Sequence, residues 1–391
     1  MPVEPRTRVA LGALSAACFV SVTSENLPVA LLPQLASGLA AGDSAIGLLM
    51  TGYAVVVAVT VIPLVALTAR WDRRVTALVT IAMIVVSNLV LAAAPGYGVA
   101  VAARLVAAAG HGVFWSVVAA MAARLLGPGR GGRATAVVFA GNSLAFLFGL
   151  PLSSWLGATL GWRTAVLVVA GVAAVAALVI RVTVEPMPPE APHQGSVTVR
   201  RVIADRALLP VNLTTLLVVT GHFAAFTYIT AIIADSVRLT GPATSSLLFA
   251  HGTAGLLGLV LIGRHVDRHP RVTALVTTGG LAVAMLVLLV GGPGFVSGAA
   301  IVLWAAPAAG IGVVLQAAVL RVATTRPDLA SAVYIVAFQI GIASGAALGG
   351  LGLDNGMLPA VVLIAATGGL TAAIVVCRSA AFESPVHGKA G

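Results

Sequence analysis

The sequence predicts an all-α integral membrane protein with twelve transmembrane helices in two six-helix bundles. Three observations carry this expectation. Of the 391 residues, 59% are hydrophobic and only 9% charged, whereas a soluble domain carries about 25% charged residues. Polar punctuation divides the chain into twelve apolar runs, each near the ~20 residues that a helix needs to cross a ~30 Å hydrocarbon core. The heptapeptide RVTALVT occurs at 74–80 and again at 271–277, an offset of 197 that is close to half the chain.

The runs lie near 9–32, 45–69, 76–94, 98–123, 134–157, 162–183, 207–234, 244–263, 272–291, 295–320, 329–350 and 357–377. They are numbered here as spans 1 to 12. Arg6 and Arg8 ahead of VALGALSAACFV imitate a signal peptide, but the run continues past Glu25 to Leu32. An uncleaved first span is therefore expected. With both termini inside, the termini and the loops after every even-numbered span collect 19 of the 22 basic residues. The opposite side receives only Arg163 and Arg238, and Arg104 lies within span 4. The positive-inside rule then predicts twelve spans in the cell inner membrane with both termini cytoplasmic.

The net charge of +10 is scattered singly between apolar runs. No basic stripe with interleaved aromatics is present, so nucleic acid is not an expected partner. Cys18 and Cys377 sit in apolar spans near opposite ends of the chain. Neither spacing nor context suggests a disulfide or a metal framework.

The repeated heptapeptide carries the loop between spans 2 and 3 onto the loop between spans 8 and 9. At the same offset Ala66 meets Gly263, Arg70 meets Asp267 and Asn142 meets Gln339. Duplication of a six-helix unit is the natural reading, with bundles at 1–184 and 207–377. Between them, EPMPPEAPHQGSVTVRRVIADR (185–206) is polar and proline-rich, as a cytoplasmic linker should be, and 378–391 forms a tail. Parallel six-helix repeats holding a site at the bilayer midplane describe a transporter architecture.

Glu25 asks for a function, because an ionisable side chain near the bilayer centre costs about 2.5–3.5 kcal/mol on insertion scales. Counted from Val9, it lies about 24 Å from the cytoplasmic end of its span. Arg104, on a span running the other way, lies about 27 Å above the cytoplasmic end near Ala122. The depths agree, so a direct or water-bridged pair is feasible. Burial and a neighbouring cation act oppositely on a carboxylate's proton affinity. A pair that separates and re-forms can therefore take up and release a proton; the alternative is a salt bridge that only ties spans 1 and 4.

His111 lies seven residues from Arg104, two helical turns along the same face. His222 in span 7 and His251 in span 8 are the other histidines within spans. Each can titrate or bind a polar substrate, or can be a packing histidine satisfied by a carbonyl. No carboxylate or cysteine clearly joins the three, so no metal site is expected. Asn26, Tyr53, Trp115, Asn142, Tyr228, Tyr334 and Gln339 complete the polar groups of interest, with Tyr53 and Tyr334 equally suited to packing or interface roles. Gly141, Gly149 and Gly157, and Gly341, Gly345 and Gly349, form small-residue stripes that let helices approach closely. Pro151 is expected to bend span 5. No G-x-x-x-x-G-K-[ST] loop is present, so energy should come from an ion gradient rather than ATP.

SENLPVALLP in span 1, VAARLVAAAGHGVFW in span 4, GNSLAFLFGLPLSSWLGATLGWR in span 5, GHFAAFTYI in span 7 and FQIGIASGAALGGLGLD in span 11 together resemble the major facilitator superfamily. The likeness is to its twelve-span proton-coupled drug and metabolite exporters, nearest the branch of sugar, purine-nucleoside and chloramphenicol exporters. It implies a proton-binding role for Glu25 and a motif role for Arg104. It implies a cavity lined by spans 1, 4, 7 and 10, with spans 2, 5, 8 and 11 at its edges. Asn26, His111, Trp115 and Tyr228 would then meet substrate, with Asn142, His222, His251 and Gln339 as further candidates. The Gly149, Pro151 and Gly157 pattern is the one the resemblance assigns to exporters.

The superfamily's loop signature is similar to G-x-x-x-D-R-x-G-R. The second copy, GRHVDRHPR, keeps Gly263, Asp267, Arg268 and Arg271. The first copy, ALTARWDRR, has Ala66 for the glycine and Arg70 for the acid, followed by Asp72, Arg73 and Arg74. Thr230 and Ala231 follow FTYI, where relatives place a proline. The expectation is a proton-coupled exporter of a small molecule, monomeric, without a cofactor. The rivals are a proton-linked importer of the same fold and, remotely, a membrane enzyme using the three histidines.

Overall fold

Among the described residues, twelve helices long and apolar enough to cross a membrane follow one another: α1 (Pro5–Glu25), α2 (Asp43–Thr68), α3 (Arg73–Ala92), α4 (Tyr97–Leu126), α5 (Ala140–Leu160), α6 (Trp162–Thr183), α7 (Leu209–Phe226), α8 (Pro242–His265), α9 (Pro270–Val290), α10 (Gly294–Val322), α11 (Ala330–Asp354) and α12 (Leu358–Arg378). Each coincides with one of the twelve apolar runs. The computed structural model describes residues 4–126, 140–188, 205–323 and 327–383, among which there is no strand. The first residues expected in span 5 (134–139), most of the linker (189–204) and the end of the tail (384–391) lie outside the described residues.

The helices depart from the apolar runs at the polar residues. Span 1 was expected to continue to Leu32, but α1 ends at Glu25 and the chain resumes as the short turns Leu27–Ala30 and Leu32–Gly38. Pro28 and Pro33 are the reason: neither has an N–H to continue the ladder, and each ring crowds the carbonyl four residues earlier. Span 7 breaks in the same way without a proline. α7 ends at Phe226 and resumes at Ile229–Ser236. There the Tyr228 hydroxyl donates to the Ala346 carbonyl at 2.9 Å. The bend expected at Pro151 is taken up by a π-helical turn at Ala145–Gly149, just before the proline.

The chain divides into two compact units, Met1–Gln194 with Leu239–Phe249, and Gly195–Arg238 with Ala250–Gly391. In the first, α3 packs on α4 and α6, α2 on α4, and α1 on α6. Its core is closed by Leu14 and Cys18 of α1, Ile81 and Ile84 of α3, Phe114 and Met121 of α4, and Ile180 of α6. In the second, α7 packs on α11 and α12, and α9 on α10 and α12.

The glycine stripes sit at backbone crossings within each unit. A Cβ on Gly141, Gly149 or Gly157 of α5 would meet the Ser15 carbonyl, the Thr23 side chain or the Leu31 side chain. On α11, Gly341, Gly345 and Gly349 face Val219, the Thr220 carbonyl and the Ala224 carbonyl. These contacts predict unequal sensitivity. Gly345→Ala drives a methyl into backbone and should cost about 1–3 kcal/mol. Gly157→Ala meets only the end of a Leu31 side chain that can rotate away, and should cost less than about 1 kcal/mol. Thermal unfolding of the two purified variants checks the difference.

The repeated heptapeptide has a structural use. Its first residue caps the last helix of its own unit: Arg74 donates to the Val184 carbonyl at 2.9 Å, and Arg271 donates to the Cys377 carbonyl. A cation at a helix C-terminus satisfies free carbonyls and opposes the negative end of the dipole. Arg271 also pairs with Glu383 at 3.0 Å. Asp72 caps α3 by accepting from the Arg74 and Val75 amides, and the Arg73 amide donates to the Met187 carbonyl. These residues of the loop signature fasten helix ends. Arg70 and Arg268 make no hydrogen bond or ion pair among the described residues. The offset of 197 also carries Arg124 onto Arg321. Arg321 has Asp267 as its electrostatic partner. Arg124, whose unit has Arg70 in place of that acid, instead donates to the Pro188 carbonyl at 2.7 Å.

Candidate functional site

In the first unit, α1 to α4 bring a connected set of polar side chains together. Because α1 ends at Glu25, carbonyls of its last turn lose their helical partners. Arg104 supplies one replacement: Nη2 donates to the Glu25 carbonyl at 2.9 Å and Nη1 to the Ser24 hydroxyl at 3.4 Å. Ser24 in turn exchanges hydrogen bonds with Asn88, donating at 3.2 Å and accepting at 3.0 Å. The guanidinium also lies over the Tyr53 ring, 4.7 Å from its centroid, a favourable cation–π distance. Arg104 is 1% exposed.

The expected Glu25–Arg104 pair is not a direct side-chain bridge, although the two charges act on each other electrostatically. The two depths agree, but the guanidinium binds the backbone that the helix break frees, and no carboxylate–guanidinium bridge is formed. The Glu25 carboxylate faces His111 instead, with Oε2 3.9 Å from Nε2. On the other side of that ring, the Tyr53 and Ser21 hydroxyls reach Nδ1 at 3.1 and 3.4 Å. When a hydroxyl donates to Nδ1, the ring's proton is on Nε2 and points at the carboxylate. Glu25 and His111 thus face each other in a nearly enclosed place, with side chains 12% and 7% exposed. Trp115 closes one side, its ring 6.2 Å from that of His111.

The second unit holds an aromatic–imidazole cluster on α7, α8 and α10. His222 stacks on Phe226 at 5.1 Å and meets Trp304 edge-on at 5.4 Å. His251 lies 6.2 Å from Phe226 and 5.3 Å from Trp304. The Trp304 indole donates to His222 Nδ1 at 3.2 Å, and His251 Nδ1 is bonded to the Ile301 carbonyl at 2.7 Å. The offset of 197 carries Glu25 onto His222 and Arg104 onto Ile301, so the two clusters occupy corresponding places in their units.

The profile of the Major Facilitator Superfamily matches residues 14–327. The chain belongs to the Major Facilitator Superfamily. It is 39% identical over 376 residues to a chloramphenicol efflux pump of Mycobacterium tuberculosis, covering 94% of this chain and 91% of that one. It is 31% identical over 346 residues to a probable sugar efflux transporter of Helicobacter pylori, covering 88% of each. Among solved superfamily folds, a nucleoside transporter superposes with a TM-score of 0.75 at 11% identity, over 96% of this chain and 100% of that one. A bacterial homologue of the human lysosomal transporter Spinster superposes with a TM-score of 0.69 at 16% identity, over 97% of each. Superfamily membership makes the chain a multi-pass membrane transporter and not an enzyme.

Several residues singled out in the sequence have other work in this superfamily chain. Tyr228 is fully buried, its hydroxyl spent on Ala346 and its ring against Gly349. It anchors the α7 break. Asn26 donates to the Val22 carbonyl at 2.9 Å and caps the α1 break, although its Oδ1 is buried without a partner. Gln339 is likewise buried with Oε1 unpartnered, and Asn142 is partly buried. Ser24, Asn88 and Trp304 were not singled out. The signal was available: an amide or an indole N–H inside an apolar span must find a partner.

Proposed function

We propose that this superfamily member is a proton-coupled exporter of neutral small molecules of the amphenicol or sugar type, working by alternating access. One observation carries the reading. Glu25 is the only buried carboxylate among the described residues, and its closest charged-group contact is the His111 imidazole at 3.9 Å, with no direct bridge to Arg104. A carboxylate held by a guanidinium is a poor proton carrier; one beside His111 can exchange a proton with it. Arg104 supplies a fixed positive field through its backbone attachment and Tyr53. Protonation from outside discharges Glu25, and ligand arriving from inside favours its release.

The named substrates of the relatives support the ligand class, and the glycine–proline pattern at Gly149, Pro151 and Gly157 supports export. Duplicated bundles at 1–184 and 207–377, cytoplasmic termini, an inner-membrane location and a monomeric state belong to the same reading. A reporter fused after Gly391 tests the orientation. The function is tested in inverted vesicles energised with a proton gradient. Chloramphenicol or one of a panel of sugars and nucleosides is expected to dissipate the gradient. If none does, while counterflow reveals ligand exchange without proton movement, the coupling is wrong.

A further inference from the structure

We propose that His222 and His251 are neutral imidazoles fixed in opposite tautomers, and that together they bind the hydroxyl-bearing part of the transported molecule. The inference rests on the reading that the chain carries a neutral small molecule, and it adds which groups recognise it. It is carried by the partners of the two rings. An indole N–H can only donate, so the bond from Trp304 obliges His222 Nδ1 to accept. His222 therefore carries its proton on Nε2. A carbonyl can only accept, so His251 Nδ1 donates to Ile301. His251 therefore presents a lone pair at Nε2.

Neither Nε2 makes a hydrogen bond among the described residues, and neither is among the fully enclosed polar atoms. The cluster thus displays one unused donor and one unused acceptor, framed by the faces and edges of Phe226 and Trp304. A hydroxyl group both donates and accepts, and an apolar or aromatic body suits the neighbouring Phe226 and Trp304 rings. A cation is disfavoured, because no Asp or Glu is buried among the described residues of this unit. An anion is disfavoured too: a second proton on His222 would set an N–H against the indole N–H. The ligand that fits is neutral, with a free hydroxyl beside a second hydrogen-bonding group.

The test uses the purified full-length protein in nanodiscs. Nitrogen-15 NMR of labelled histidines is expected to find His222 protonated on Nε2 alone and His251 on Nδ1. Trp304→Phe keeps a ring but removes the N–H, and should let the His222 proton distribute over both nitrogens. Binding of radiolabelled chloramphenicol should weaken by about tenfold or more in His222→Phe and in His251→Phe, the size expected for a lost buried hydrogen bond. His222→Gln, which restores an N–H near the Nε2 position, should recover most of it. Acetylating the hydroxyls of chloramphenicol should weaken binding to the wild type but make little difference to His251→Phe. Reversed tautomers, undiminished affinity in both phenylalanine variants, or no rescue by glutamine would each overturn the assignment. So would a folded wild type that binds neither chloramphenicol nor glucose. Proton-coupled export would still be decided separately, by the proton flux in vesicles across the whole panel.

Discussion

Glu25→Gln is expected to abolish ligand-driven proton movement in energised vesicles while the protein remains folded. The amide keeps the size and one acceptor oxygen of the carboxyl group but cannot ionise. Arg104 should stay in place, because its partners are the Glu25 carbonyl and the Ser24 hydroxyl, which the substitution leaves untouched. Losing a positioned proton-transfer group typically costs about 100-fold or more, and a fall of that order in coupled flux is expected. Counterflow of unlabelled against labelled ligand needs no net proton movement and should survive. Persistence of full coupling in the variant would move the proton site to the histidines.

Arg104→Leu is expected to have the largest effect on stability. A fully buried guanidinium ties α1 to α4 at the α1 break, and its removal strands the Glu25 carbonyl and weakens the Ser24–Asn88 pair. Removing one member of a buried charged network costs about 3–5 kcal/mol, enough to make the folded protein scarce. Arg104→Lys should recover only part of this, because an ammonium cannot reproduce the fork that serves two oxygens. A double-mutant cycle separates the two possible partners of the guanidinium. If it served the carboxylate, Arg104→Leu would become nearly harmless in a Glu25→Gln background. Attachment to the backbone carbonyl predicts the same loss in both backgrounds, read from unfolding midpoints in detergent.

How far the sequence reaches is clear from particular residues. The twelve spans are legible because hydrocarbon thickness sets their length and most of the arginines fall in alternate loops. His111 is legible beside Arg104 because seven residues make two turns. The α1 break is written in Pro28 and Pro33, yet an apolar run hides it, since hydropathy does not register a missing N–H. The same break sets the hydrogen-bond partner of Arg104: rise per residue gives depth, but not which carbonyls a helix end leaves free. The α7 break depends on Tyr228 meeting Ala346 and Gly349, a contact 118 residues apart that no local pattern announces. The twin arginines of the repeated heptapeptide were visible as a repeat. Their use depends on where α6 and α12 end, which the repeat does not encode.

The most direct measurement is the count of protons released when ligand binds. Purified protein in weakly buffered detergent, with a pH indicator present, would be titrated with the compound that dissipates the vesicle gradient. The wild type is expected to release about one proton per ligand at a pH where Glu25 and His111 share one, and Glu25→Gln to release none while still binding. Equal release from the variant, or none from the wild type, would contradict a proton carried by Glu25.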